Sequence, residues 1–307
     1  MRNFWKGKRV LITGDQGFVG SHLAKALINK GAEVTGFDIK VNDMDVSNYD
    51  LVEKTIREKK IQVVYHLAAE AIVERAGRMP LQAFLANILG TWNIIELCRT
   101  TKGIKSVIFA SSDKAYGEHK ILPYKENYPL LTKYPYEVSK SCADLLAQSY
   151  FFSYRLPIVI TRCGNIYGCG DPNTNRLLPN AIRCLLNCKE LLVRGSGKFV
   201  RDFIYIDDIV DAYIRIGELF KRRKLAGQVF NLGNNQPISI LDFVKTINEV
   251  VRGGLRYRLI DGGFGEIQKQ YLDSSKAYKL LGWKPKWSLK EGLIFTLQEA
   301  FKNGAYR

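Results

Sequence analysis

The chain has 307 residues, enough for one large domain or two closely joined ones. A hydrophobic content of 46% supports an ordinary buried core, and no apolar run of about eighteen residues marks a transmembrane helix. The formal net charge is +16, but the basic residues are spread along the chain and do not interleave with aromatics, so an anionic small molecule is the expected partner, with neither nucleic acid nor membrane expected. The six cysteines form no C-x-x-C pair, and the three histidines (His22, His66, His119) lie far from them in sequence; no metal site is expected. The opening M-R-N-F-W-K-G-K-R runs straight into a strand rather than a secretory leader, so a cytoplasmic location is expected.

Residues 9–13 read as a short apolar strand, followed at once by Gly14, Asp15, Gln16, Gly17, Phe18, Val19 and Gly20. Residues 21–30 read as a helix, Gly31 ends it, and residues 32–37 form a second strand closing in Asp38. This βαβ unit, with its glycine turn and a terminal acid, points to dinucleotide binding. Gly14 permits the tight turn, Gly17 lets backbone approach a pyrophosphate, and Gly20 lets helix pack on strand. Gln16, Phe18 and Val19 complete the phosphate cradle at the helix N-terminus. Asp38 is placed to accept from both ribose hydroxyls and would repel a 2′-phosphate, so NAD is expected rather than NADP.

Residues 51–59 read as an amphipathic helix and residues 61–66 as a strand. Leu67, Ala68 and Ala69 follow, small enough at the alanines for backbone to pass close to the cofactor. His66 is expected to be structural. Residues 80–100 read as a long helix containing Asn87, and residues 105–110 as the strand that delivers Ser111, Ser112, Asp113 and Lys114. Further on, Y-P-Y-E-V-S-K puts Tyr136 and Lys140 four apart, on one face if a helix starts there. A lysine beside a phenol favours phenolate, and a tuned phenol can take a proton from a sugar hydroxyl that Ser112 holds in line.

The G-x-x-G-x-x-G spacing with the Tyr136–Lys140 pair resembles the extended short-chain dehydrogenase/reductase superfamily, and the resemblance covers nearly the whole chain. It implies an α/β fold, a Rossmann-type doubly wound parallel sheet, with a smaller mixed α/β C-terminal substrate lobe. The NAD-binding part would span residues 1–165, with returning segments near 200–235, and the substrate lobe residues 166–307. The resemblance also implies NAD contacts at Asp45 and Val46 (adenine), at Leu67–Ala69, and at Asn87, Tyr136 and Lys140. Asn165 and Arg201 would meet the diphosphate of a nucleoside-diphosphate sugar, a guanidinium fork matching phosphate geometry. A homodimer through helices near 81–100 and 137–153 is expected on the same ground.

Within the superfamily, 4-epimerases usually carry small or apolar residues after the paired serines. Asp113-Lys114 instead resembles the nucleotide-sugar 4,6-dehydratases, and F-W-K-G-K-R-V-L-I-T-G and residues 164–171 resemble the CDP-glucose enzymes. The implied reaction oxidises C4 transiently, eliminates water across C5–C6 and returns hydride to C6. Ser112, Asp113, Lys114, Tyr136 and Lys140 would be catalytic, with Asp113 as acid to the departing hydroxyl and Lys114 as base at C5. The alternative is a 4-epimerase in which Asp113 and Lys114 form a structural ion pair.

Overall fold

The computed structural model describes residues 4–41, 43–261 and 267–303. The first half alternates strands β1 (Arg9–Thr13), β2 (Glu33–Phe37), β3 (Val63–His66), β4 (Ser106–Ala110) and β5 (Ile158–Cys163) with helices α1 (Phe18–Asn29), α2 (Tyr49–Glu58), α3 (Val73–Arg78), α4 (Pro80–Phe84), α5 (Gly90–Thr100) and α6 (Pro135–Tyr154). The second half adds β6 (Asn165–Tyr167), α7 (Leu177–Leu186), β7 (Leu191–Arg194), β8 (Val200–Tyr205), α8 (Ile206–Leu219), β9 (Val229–Leu232), β10 (Pro237–Ser239), α9 (Ile240–Val250), β11 (Tyr257–Ile260), β12 (Lys269–Gln270), α10 (Ser275–Leu281) and α11 (Leu289–Asn303).

The six-stranded parallel sheet runs β2-β1-β3-β4-β5-β9. Its strands are buried on both faces, which is why they read as near-continuous apolar runs. Val10, Ile12, Val63, Tyr65 and Ile108 face Leu23 and Leu27 of α1 and Ile209 and Tyr213 of α8. Leu11, Val64, Val107 and Phe109 face Val52 and Ile56 of α2, Ile94 and Ile95 of α5, and Ala143 and Ala147 of α6. The strand order reverses at β1, so the carboxyl ends of β1, β3 and β4 open onto one crevice, where such sheets bind ligands. The register aligns Thr13, His66 and Phe109 across it.

In the second half β8 is central, pairing antiparallel with β10 and parallel with β12 and β6, while β7 and β11 form a separate parallel pair. The apolar cluster on the α1 face continues into this half through Tyr167, Phe203, Phe243, Leu281 and Trp283.

Helix α1 starts at Phe18, three residues earlier than the sequence reading has it, because Gly17 is already extended (φ −78°, ψ 171°) and acts as its N-cap. The stretch Pro80–Thr100 is long and apolar enough to cross a membrane, and half of it is buried in the protein. Ile94, Ile95 and Leu97 are wholly buried under the sheet. That stretch is interrupted by a π-turn at Leu85–Leu89, which carries Asn87. A buried ion pair joins β5 to α6: Arg162 donates from Nε to Asp144 Oδ2 at 2.9 Å and from Nη2 to Oδ1 at 2.8 Å.

Candidate active site

The crevice begins with the turn after β1. Gly14 has φ +75°, and a Cβ there would lie 2.8 Å from the Ala68 nitrogen, so only glycine lets the β1 and β3 loops approach. A Cβ on Gly20 would fall 2.0 Å from the Gly14 carbonyl oxygen, so the helix seats directly on the turn. Phe18 is buried in the core, so its ring faces inward. The amides of the first turn of α1, at Phe18, Val19 and Gly20, have no helical carbonyl behind them and can serve an anion. Gln16 is exposed, and its N–H donates to Asp38 Oδ2 at 3.1 Å. The other Asp38 oxygen accepts from Lys40 N–H at 3.0 Å, which fixes the carboxylate at the tip of β2. Asp45 accepts from Ser47 N–H at 2.8 Å, and Val46 packs under Gly90, with its carbonyl held by Asn93 at 3.0 Å. A buried carboxylate next to a glycine turn at a helix N-terminus fits a dinucleotide with free ribose hydroxyls.

The loop after β3 is pinned from both sides. Leu67 and Ala68 N–H both donate to Thr13 Oγ1 at 3.2 Å, and Ala69 follows them half-buried. Asn87, carried on the π-turn, accepts from Glu70 N–H at 2.7 Å and donates to Glu70 O at 3.1 Å and Ser139 Oγ at 2.8 Å. It therefore ties this loop to α6. Glu70 itself accepts from Ile72 N–H at 3.0 Å and pairs with Arg75 at 3.1 Å, which braces the start of α3.

His66 is structural, as expected. Its Nδ1 and Nε2 meet Thr13 Oγ1 at 2.7 Å and Thr91 Oγ1 at 3.0 Å. Burial, with the Lys140 charge, lowers its pKa from 6.5 to about 3. The unfolded chain takes up that proton below about pH 6.5 while the folded one refuses it, so this group's contribution is lost as pH falls through the window. Between pH 7 and pH 5 the protein is expected to lose about 2 kcal/mol of stability through His66 alone. Urea unfolding at the two pH values checks this: His66→Gln should lose that part of the slope, and equal slopes would contradict it.

Beyond β4 the chain forms a short 3₁₀ turn over Asp113–Tyr116, capped by Ser112, whose Oγ accepts from Lys114 N–H at 3.2 Å. Ser112 Oγ also donates to Asp113 Oδ1 at 3.2 Å and lies close enough to the Tyr136 phenol to pull its pKa down. Asp113 is buried and its Oδ2 has no hydrogen-bond partner. Burial pushes its carboxyl up, against the opposing charges of Lys114 and Arg201. A dry carboxyl with one idle oxygen keeps its proton to higher pH than a solvated one.

Helix α6 begins at Pro135, a favoured first helical position, and brings Tyr136 and Lys140 to one face, both buried. Lys140 Nζ donates to the Ala110 carbonyl at 2.8 Å, and burial brings its pKa down to about 8. The expected depression of the Tyr136 phenol is not met: burial pushes it up to about 12, with the Ser112 hydroxyl and the Arg176 charge pulling the other way. Dehydration of the site outweighs its neighbouring positive charge. Arg176, at the N-cap of α7 and 3.0 Å from Asp171, was not singled out in the sequence, because nothing local marks it as facing Tyr136.

Asn165 is the first residue of β6, half-buried and paired in register with Phe203. Arg201 lies buried on β8, donating to Val200 O at 2.9 Å and to Gln268 O at 3.4 Å, with its guanidinium over the Phe199 ring. Its register partner is Gln270, a second residue the sequence did not flag. Ser112, Asp113, Lys114, Tyr136 and Lys140 are thus brought together, with Arg201 near enough for its charge to act on Asp113. Among the described residues no group of three or more histidine, cysteine or acidic side chains could hold a metal ion.

A Rossmann-type crevice with a tyrosine, a lysine and a hydroxyl at the end of β4 defines an α/β protein built to act on a ligand beside a dinucleotide. Residues 10–233 match the NAD dependent epimerase/dehydratase family, and the chain belongs to it; its cofactor is NAD. It is 29% identical to the CDP-glucose 4,6-dehydratase of Salmonella typhimurium, over 95% of this chain and 90% of that one. The dTDP-glucose 4,6-dehydratase of Bacillus anthracis, solved with NAD, superposes with a TM-score of 0.84 at 26% identity, covering 97% of each chain. The UDP-glucose 4-epimerase of Thermotoga maritima, solved with UDP-glucose, superposes with a TM-score of 0.88 at 26% identity, covering 96% of this chain and 99% of that one.

Proposed function

We propose that the protein is a cytoplasmic nucleoside-diphosphate-hexose 4,6-dehydratase, forming the 4-keto-6-deoxy sugar. The observation that carries this reading is Asp113, a buried carboxyl with an idle oxygen, in the same turn as Ser112 and Lys114. A 4-epimerase needs no proton donor there. NAD, when bound, supplies the acceptor and later the donor of hydride; Gly14, Gln16, Gly17, Phe18, Val19, Gly20, Asp38, Asp45, Val46, Leu67, Ala68, Ala69 and Asn87 would hold it, with Lys140.

Tyr136, once its own phenol proton has left to solvent, takes the proton of the C4 hydroxyl as a phenolate while Ser112 orients that oxygen. Lys140 supplies positive charge behind Tyr136 as the proton leaves. The C4 ketone acidifies the C5 proton, which Lys114 removes as the neutral amine while Asp113 protonates the departing C6 hydroxyl; when hydride is returned to C6, Lys114 gives the proton back at C5. Asn165 and Arg201 hold the diphosphate, the fork of Arg201 matching its oxygens.

One observation favours a second reading. Lys114 is held by Gln270, as a purely structural lysine would be. Asp113 and Lys114 would then be a scaffold, and the reaction a 4-epimerisation. Incubating the protein with NAD and, separately, CDP-glucose, UDP-glucose, dTDP-glucose, UDP-N-acetylglucosamine and GDP-mannose separates the two. Loss of one water by mass spectrometry is expected from one of them. Unchanged mass with a new C4 epimer by NMR would overturn the dehydratase.

The homodimer is proposed on a separate ground. The stretch Pro80–Thr100 packs on α6, and together they expose Leu81, Leu85, Trp92, Leu145 and Phe152. Sedimentation equilibrium is expected to give twice the chain mass.

A further inference from the structure

Gln270 is wholly buried on β12, in the C-terminal half of the chain, yet both ends of its amide are spent on the turn after β4. Nε2 donates to the Asp113 carbonyl at 2.8 Å, and Oε1 accepts from the Lys114 ammonium. The orientation of the amide is forced: a carbonyl can only accept and an ammonium can only donate, so a flipped amide would lose both bonds. The partners lie 157 and 156 positions away in sequence. A buried glutamine used this way is not filling space, since a leucine or methionine would do so without needing partners.

We propose that Gln270 is a positioning residue: its amide, locked by the Asp113 carbonyl, holds the Lys114 ammonium on the Ser112–Tyr116 turn and sets how readily that amine gives up its proton. The consequence for dehydration rests on the reading above, in which Lys114 is the base. A neutral acceptor steadies the amine without fixing its charge. A carboxylate in the same place would trap it as ammonium, and an aliphatic side chain would leave it with one acceptor fewer. Among the described residues, the other ionisable groups around the pair include Asp113 itself, Arg201 and Asp202 on β8, and the phenols of Tyr124 and Tyr136. Their side chains are retained in every Gln270 variant, and Gln270→Leu adds no charge beside them, so the two variants together report on the amide.

The test is competitive acetylation of the full chain with acetic anhydride across pH, read at the Lys114 peptide by mass spectrometry, for wild type, Gln270→Glu and Gln270→Leu. Lys140, anchored on the Ala110 carbonyl, is the internal control in the same samples. The pH of half-labelling at Lys114 is expected to rise by one unit or more in Gln270→Glu and to fall in Gln270→Leu, with Lys140 unmoved. Superimposable Lys114 curves in all three proteins would overturn the proposal, and so would equal shifts at Lys114 and Lys140, which would report a general loosening. Melting curves verify folding, and having two variants keeps the test open if one is unstable.

The pH profile of kcat for dehydration is then measured on the same proteins. If it moves with the labelling, both the positioning role and Lys114 as base are supported. If the labelling moves and the kcat profile does not, Gln270 still positions Lys114 and the assignment of Lys114 as base fails.

Discussion

Replacing Tyr136 by phenylalanine is expected to lower kcat by about 10²–10⁴-fold, the usual worth of a positioned general acid or base. NAD binding should weaken only by the one contact expected from the Tyr136 hydroxyl, because the cradle at Gly14–Gly20 and the Asp38 carboxylate lie on other elements. The phenol is buried and pushed up to about 12, so it is neutral at pH 7 until a substrate hydroxyl and the nearby cations act on it together. Its hydroxyl lies near Ser112, in the same turn as Asp113. Removing the hydroxyl should cost stability no more than about 1 kcal/mol, the worth of one net hydrogen bond, while on the proposed mechanism it removes the acceptor of the C4 proton. Turnover of the substrate identified by the product assay checks this, with NAD titration by fluorescence as the control. A kcat within tenfold of wild type would mean that another group takes that proton.

The largest expected effect on stability is at Asp144. Arg162 and Asp144 side chains are 2% and 0% exposed, joined by two hydrogen bonds. Gln148 donates to Asp144 Oδ1 at 2.7 Å, and the guanidinium lies 4.5 Å over the Tyr116 ring and donates to Glu126 O at 3.2 Å. Asp144→Ala leaves that guanidinium buried without its counter-charge, and about 3–5 kcal/mol of stability should be lost. Asp144→Leu combined with Arg162→Met, which removes both charges and keeps the volume, should recover most of the loss. Urea unfolding of the three proteins decides it; a double variant no more stable than Asp144→Ala would show that the two charges do not depend on each other. Tyr116 closes the turn that holds Asp113 and Lys114, so the single variant should also lose activity beyond the fraction unfolded.

The parts of this molecule that were legible in the sequence are those whose physics is local. The turn at Gly14 and Gly20 is written in three glycines between an apolar strand and a helix, and both positions admit no Cβ. The sheet strands were legible because burial on both faces makes them apolar runs. Tyr136 and Lys140 were legible because four residues on a helix is one face. Burial was not legible, and so the direction of the Tyr136 pKa was read the wrong way: spacing shows the neighbouring lysine and hides the loss of water around the phenol. Gln270 and Arg176 carried no signal, since their partners are remote in sequence and a lone glutamine or arginine matches no period. The pairing of β7 with β11, between segments more than sixty positions apart, was likewise invisible in composition.

The apolar cluster that runs from the α1 face of the sheet into the C-terminal half limits how such a chain can be recombined. A chimera cut near residue 165 would take α8 from the donor, and with it Ile209 and Tyr213, which cover Val10, Ile12 and Tyr65. Tyr65 OH also donates to the Tyr213 carbonyl at 2.9 Å, and Trp5 Nε1 to Glu218 at 2.9 Å. Exchanging the C-terminal half between relatives therefore requires that α8 and β9 travel with the N-terminal half. Grafts of α7, β7 or the stretch from β10 onward must in turn keep the side chains that dock on this core, among them Phe243, Leu281 and Trp283, whose Nε1 donates to the Asp208 carbonyl at 3.0 Å.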